Sequence, residues 1–147
     1  MLKIDNLLQM KVGVWLDKKM AIVVTLYNGE LSLNTILSNI EHFHVHGGSG
    51  TRLKGGPQDV VQDSKYLERE KHQLKKYFND IISEIKEANG IVLFGPAEMR
   101  EKLYKEIAQN HTDLKAKIKD VVKTDSMTKR QVKAWVKAFF KSTNQSI

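Results

Sequence analysis

The sequence has no cysteine, only two prolines and no long hydrophobic run. Without cysteine there is no disulfide, no cysteine-ligated zinc and no thiol nucleophile, and a reducing compartment is allowed. So few prolines exclude a proline-rich linker protein. Nothing approaches the roughly 18 continuous apolar residues of a membrane span, so no membrane partner is expected. Met1-Leu2-Lys3-Ile4-Asp5 lacks the basic start, apolar block and small-residue cleavage site of a secretory leader. A cytoplasmic location is therefore expected. Acidic side chains are also scarce: 17 Asp and Glu stand against 24 Lys and Arg, a formal net charge of +7. That surplus is of the kind that suits polyanions in general (nucleic acid, the ribosome or an acidic membrane surface), and of these RNA or the ribosome is the partner expected here.

What is present fits one folded unit. An apolar fraction of 41% over 147 residues allows a single core and excludes a disordered polar tract, giving one domain over 1–147. The charge is uneven. From Lys115 onward, nine basic residues (Lys115, Lys117, Lys119, Lys123, Lys129, Arg130, Lys133, Lys137, Lys141) face two acids (Asp120, Asp125), and 9 − 2 = +7 equals the net charge of the whole chain.

Residues 11–27 read as a hairpin. Val12, Val14 and Leu16 alternate with Lys11, Gly13 and Trp15, and after the polar turn Asp17-Lys18-Lys19 comes the β-branched run Ala21–Leu26. Asn28-Gly29 is a type I′ turn signal, and strand character resumes at Leu31–Leu37 and Ile40–His46. Residues 47–62, with Gly47, Gly48, Gly50, Gly55, Gly56 and Pro57, offer almost nothing to bury and predict a flexible Gly-rich loop. A long helix is expected over about 64–88, with Leu67, Leu74, Phe78, Ile81, Ile85 and Ala88 on one stripe and Gly90 as its left-handed stop. Lys71 interrupts that stripe, so the first turns are expected to project past the core. Ile91–Phe94 reads as a buried strand, Gly95-Pro96 leads into a helix from Ala97 to Asn110 with Pro96 at its first position, and Lys117–Val122 reads as a strand. Thr128 and Gln131 form a capping box for a last helix whose core face is Val132, Trp135, Val136, Phe139 and Phe140. The expected fold is α/β: a mixed sheet with an N-terminal antiparallel meander, flanked by three helices.

Few groups have the spacing that chemistry needs. Gly50-Thr51-Arg52-Leu53-Lys54-Gly55 begins like a phosphate-binding loop, but Gly56-Pro57 replaces the required Lys-Ser/Thr. Gly48-Ser49-Gly50 fails the dinucleotide fingerprint at Leu53. What remains is a loop carrying Arg52 and Lys54, suited to contacting a large anionic partner. His42, His44 and His46 share one face of a strand at roughly 7 Å steps. Two of them, His44 and His46, could hold a metal with a carboxylate from elsewhere; a polar outer strand face is the plainer reading. The turn Phe94-Gly95-Pro96-Ala97-Glu98 reads as helix-start chemistry, and Trp135, Phe139 and Phe140 as core rather than a stacking platform for bases. No cofactor is expected.

The order of these elements resembles one family. A meander, a loop ending in Gly55-Gly56-Pro57-Gln58, a long helix, an apolar strand, a Gly-Pro-Ala turn and a helix are similar to the central domain of archaeal and eukaryotic class-1 peptide-chain release factors and of the ribosome-rescue factor Pelota. The resemblance is closer still to small bacterial proteins related to that domain. It covers roughly Lys11 to Phe140 and is carried by Val12–Asp17, Ala21–Val23, Ile91–Glu98 and Thr124–Thr128. It implies a translation-component fold and ribosomal or tRNA/rRNA partners. In release factors a Gly-Gly-Gln loop positions water for ester hydrolysis. Here Pro57 separates the glycine pair from Gln58, fixing φ and removing a donor. The expected function is a translation-associated RNA- or ribosome-binding protein, non-catalytic, with contacts from Arg52, Lys54, Gly55, Gly56, Gln58, Lys129, Arg130, Lys133 and Lys137. The alternative is a hydrolase, acting on peptidyl-tRNA through Gln58 or as a metal enzyme through His44 and His46. A third reading is a protein-interaction module that kept the fold and lost the ribosome.

Overall fold

The computed structural model describes residues 9–40 and 56–145. In chain order these form β1 (Met10–Leu16), β2 (Met20–Tyr27), β3 (Glu30–Leu37), α1 (Gly56–Ile85), β4 (Gly90–Gly95), α2 (Met99–Asn110), α3 (Thr112–Lys115), β5 (Ile118–Lys123) and α4 (Lys129–Gln145). The five strands make one sheet in the order β3-β2-β1-β4-β5. β2 pairs antiparallel with both β1 and β3, whereas β4 pairs parallel with β1 and with β5. The sheet is mixed, as expected.

Local chemistry accounts for the meander. The Asp17 side chain accepts hydrogen bonds from the amides of Lys19 (2.8 Å) and Met20 (2.9 Å), so the β1–β2 turn is closed by its own carboxylate. Asn28 and Gly29 take φ of 56° and 81°, the two positive values a type I′ hairpin needs. Beyond β3, the Ser38 hydroxyl donates to the Lys18 carbonyl at 2.6 Å and ties the strand end to that first turn. Ile40, read as the start of a further strand, is irregular, and the rest of that expected strand lies outside the described residues.

Alternation along the strands builds two cores. On one face Val12, Val14, Leu16, Ala21, Val23, Ile91 and Leu93 pack against Tyr77, Phe78, Ile81, Ile82 and Ile85 of α1 and Met99, Leu103 and Ile107 of α2. On the other, Trp15, Ile22, Val24, Val92 and Phe94 pack against Val132, Val136 and Phe140 of α4. The molecule is therefore three layers, with α1 and α2 on one side and α4 on the other. The β4–β5 register shifts between Ile91 and Val92. This irregularity lets Ile118 and Val121, three residues apart, share the α1–α2 face. Gly13 faces α4 so closely that a Cβ there would lie 2.3 Å from Val136 Cγ2.

Four boundaries differ from the sequence reading. The long helix begins at Gly56, so 56–62 of the expected loop are helical. Proline in a first helical turn loses no hydrogen bond, because the first four amides have no partner within the helix. Pro57 thus opens the helix where it was read as part of a break. The same helix ends at Ile85, leaving buried Ala88 in the following turn and Gly90 in β4 rather than in a helix stop. α2 begins at Met99 with Glu98 at its cap. Pro96 lies before it, because Ala97 takes φ 52° and no helix runs through that value. Among the described residues, the one-turn α3 is a helix beyond the three expected.

Candidate nucleic-acid interface

The last helix carries the most one-sided chemistry of the described residues. Thr128 and Gln131 close the expected capping box: the Thr128 amide donates to Gln131 Oε1 at 2.8 Å, and the Gln131 amide donates to Thr128 Oγ1 at 3.2 Å. From that start, Val132, Val136 and Phe140 point into the sheet, each 2% exposed or less. Lys129, Arg130, Lys133, Lys137 and Lys141 are all exposed. Lys129, Lys133, Lys137 and Lys141 follow each other at i, i+4, a row about 18 Å long. α4 contains no Asp or Glu.

This arrangement works against the helix itself. Lys129 and Arg130 sit in the first turn, where the helix dipole is positive and acids are favoured. Each like-charged i, i+4 pair costs about 0.2–0.5 kcal/mol. Burial of Val132, Val136 and Phe140, at about 1.5–3 kcal/mol each, outweighs that repulsion. The core therefore holds in place a row of cations that the isolated helix disfavours. Lys119 and Lys123 of the edge strand β5 are exposed as well.

The aromatic residues of α4 belong to the packing, as expected. Trp135 stacks on Phe94 with ring centroids 3.9 Å apart and planes at 16°. Phe139 stacks on Trp135 at 5.5 Å and meets Phe140 edge-on at 5.1 Å.

The turn before α2 is helix-start chemistry. Gly95 takes φ 143° against the Leu16 backbone, whose carbonyl oxygen would be 2.4 Å from any Cβ. The buried Arg100 guanidinium donates to the Ala97 carbonyl, reaches the Gly95 carbonyl at 3.5 Å and pairs with Glu101 at 3.3 Å. Arg100 thus holds the irregular turn from within.

The other sequence-predicted site residues are not brought to α4. Arg52, Lys54 and Gly55 lie outside the described residues, as do His42, His44 and His46. Gly56 and Gln58 are the first and third residues of α1, the helix whose later turns pack on the sheet face opposite α4. Among the described residues no three His, Asp or Glu side chains are grouped to hold a metal, and no helix is long and apolar enough to cross a membrane. One cationic group escaped the sequence reading altogether. Lys18, Lys71, Lys75, Lys102 and Lys105, from three separate segments, line two adjoining clefts beside α1 and α2.

No protein-family model matches the chain, and no curated protein matches it. Solved structures do resemble it. Pelota from Archaeoglobus fulgidus superposes with a TM-score of 0.52 at 8% identity, over 87% of this chain and 30% of that one. Pelota from Thermoplasma acidophilum gives 0.46 at 15% identity, over 83% and 29%. An archaeal translation termination factor gives 0.44 at 10% identity, over 92% and 40%. The chain thus spans well under half the length of each. The likeness is one of fold: over most of its length the chain has the architecture of one part of the A. fulgidus Pelota.

Proposed function

We propose that the chain is a non-catalytic, translation-associated protein of the cytoplasm that binds structured RNA of the ribosome, tRNA or rRNA. The observation that carries this reading is the exposed, acid-free row Lys129, Arg130, Lys133, Lys137 and Lys141 on α4. Cations spaced by one helical turn and fixed to a rigid core can meet successive phosphates, and phosphate contacts supply most of the affinity of such complexes. The shared fold with part of a Pelota supports the ribosome as the partner, and Arg52 and Lys54 would supply contacts in addition to those of α4. The test is sedimentation of cell extract. The protein should travel with ribosomal subunits, and Lys133→Glu/Lys137→Glu should leave it at the top of the gradient. An Arg52→Ala/Lys54→Ala variant should sediment less completely than the wild type. Co-sedimentation that ignores the α4 charge reversal would overturn the reading.

A further inference from the structure

On the face opposite α4 the structure has a second cationic surface of different construction. α1 has 30 residues, about 45 Å at 1.5 Å per residue, whereas strands of six to eight residues span about 20–27 Å. The helix outruns the sheet, and its described apolar side chains become exposed in that direction. Tyr77, Phe78, Ile81, Ile82 and Ile85 are buried, Leu74 is half-buried, and Leu67 is 55% exposed. Beside this overhang lie the β1–β2 turn with Lys18, Ile40, and the start of α2. They enclose a cleft of about 320 Å³ lined by Lys18, Ile40, Leu67, Lys71, Leu74 and Met99, with Glu70 and Lys102 at its sides. It adjoins a second cleft of about 410 Å³ between α1 and α2, sharing Lys71, Leu74 and Lys102 and adding Lys75, Phe78, Lys105 and Glu106. Together they form one trough with an apolar floor and walls that carry five lysines and two glutamates. Among the described residues, Lys18, Lys71, Lys75 and Lys105 make no ion pair, and Lys102 reaches only Glu98, at 3.9 Å.

We propose that this trough is a docking site for an acidic amphipathic helix of a partner protein. Charge complementarity selects the occupant. Five lysines around an apolar floor fit a segment with one aliphatic stripe flanked by Asp and Glu, the helix-in-groove arrangement. From Leu67 to Phe78 the floor runs about 16 Å, three turns of such a helix. RNA fits less well. Phe78 is 4% exposed, so no aromatic face is open for a base to stack on, and the apolar floor of Ile40, Leu67, Leu74 and Met99 offers a phosphate backbone nothing to bind. A second copy fits less well too, because a chain of net charge +7 meets this surface with like charge.

Selection from displayed random peptides of about four helical turns (roughly 14 residues) on the full chain tests the proposal. Selected peptides should carry apolar residues at i, i+3 or i+4, and i+7, flanked by Asp and Glu. Their affinity should fall about tenfold or more for Lys71→Glu/Lys102→Glu, and change less than about twofold for Lys133→Glu/Lys137→Glu. Lys75→Glu/Lys105→Glu, on the same walls, should act like the first pair, and circular dichroism checks that each variant is folded. Selection of peptides without acidic enrichment, or equal binding by the charge-reversed proteins, would overturn the proposal. So would a hairpin RNA whose amide shift changes map to this trough, or self-association abolished by Lys71→Glu/Lys102→Glu. Loss of ribosomal co-sedimentation in the α4 variant bears only on the RNA reading, because the two surfaces share no residue.

Discussion

Two single residues set measurable terms. Tyr77, 1% exposed, donates its hydroxyl to the Asp17 carbonyl at 3.0 Å and so joins α1 to the β1–β2 turn. Burial, and secondarily the Asp17 carboxylate, holds its phenol well above the ordinary tyrosine range. The folded protein therefore keeps the phenol neutral where the unfolded chain ionises it, near pH 10. The stabilisation is complete below that pH and is lost as the pH rises above it. Tyr77→Phe should cost about 0.5–1.5 kcal/mol at pH 7 through the lost hydrogen bond. The gap between the two proteins should then narrow between pH 10 and 11, by up to about 1.4 kcal/mol per pH unit. Urea midpoints at pH 7, 10 and 11 measure it, and a gap that does not change with pH refutes it. Gly13 sets a steric limit. Gly13→Ala should destabilise by about 1–3 kcal/mol, because the added methyl overlaps Val136. Val136→Ala in that background should recover part of the loss. A double-mutant cycle by chemical denaturation should show strong non-additivity, whereas simple addition would place the strain elsewhere.

At the scale of elements, α4 predicts opposite effects on stability and binding. Lys129→Glu places an acid at the positive end of the helix and removes one i, i+4 repulsion, so the melting temperature should rise while RNA affinity falls. Thermal melts and filter binding on the same sample check this. A variant that gains stability and keeps its affinity would show that Lys129 contacts no phosphate. The helix itself was legible in the sequence, because Thr128, Gln131 and the Val132–Val136–Phe140 spacing are local signals, and local hydrogen bonds realise them. The hairpin turns at Asp17 and Asn28-Gly29 were legible for the same reason. The start of α1 was not. Gly56-Pro57 is compatible with either a loop or a first helical turn, and composition favours the loop. The trough was illegible altogether: Lys18, Lys71 and Lys102 lie far apart in the chain, and only the packing of α1 and α2 on one sheet face brings them together.

For the whole molecule, the charge distribution predicts salt dependence. If α4 meets RNA phosphates, the logarithm of affinity should fall linearly with the logarithm of salt concentration, with a slope of about −0.7 to −0.9 per phosphate contacted. Lys133→Glu/Lys137→Glu should flatten that slope by about two contacts. Titration at several salt concentrations decides, and an affinity indifferent to salt removes phosphate contacts from the account. The sheet order carries a consequence for synthesis. The central pair β1–β4 joins segments far apart in sequence; the Met10 amide, for instance, bonds to Asn89 Oδ1 across 79 residues. As the nascent chain emerges, β1, β2 and β3 can zip into a hairpin ribbon early. The inner edge of β1 then stays open until more than half the polypeptide has left the exit tunnel. Val12, Val14 and Leu16 have no helix over them until α1 has followed, and the β1 edge has no partner until β4 has followed in turn, so the newborn ribbon is the species most exposed to misassociation and to chaperone capture.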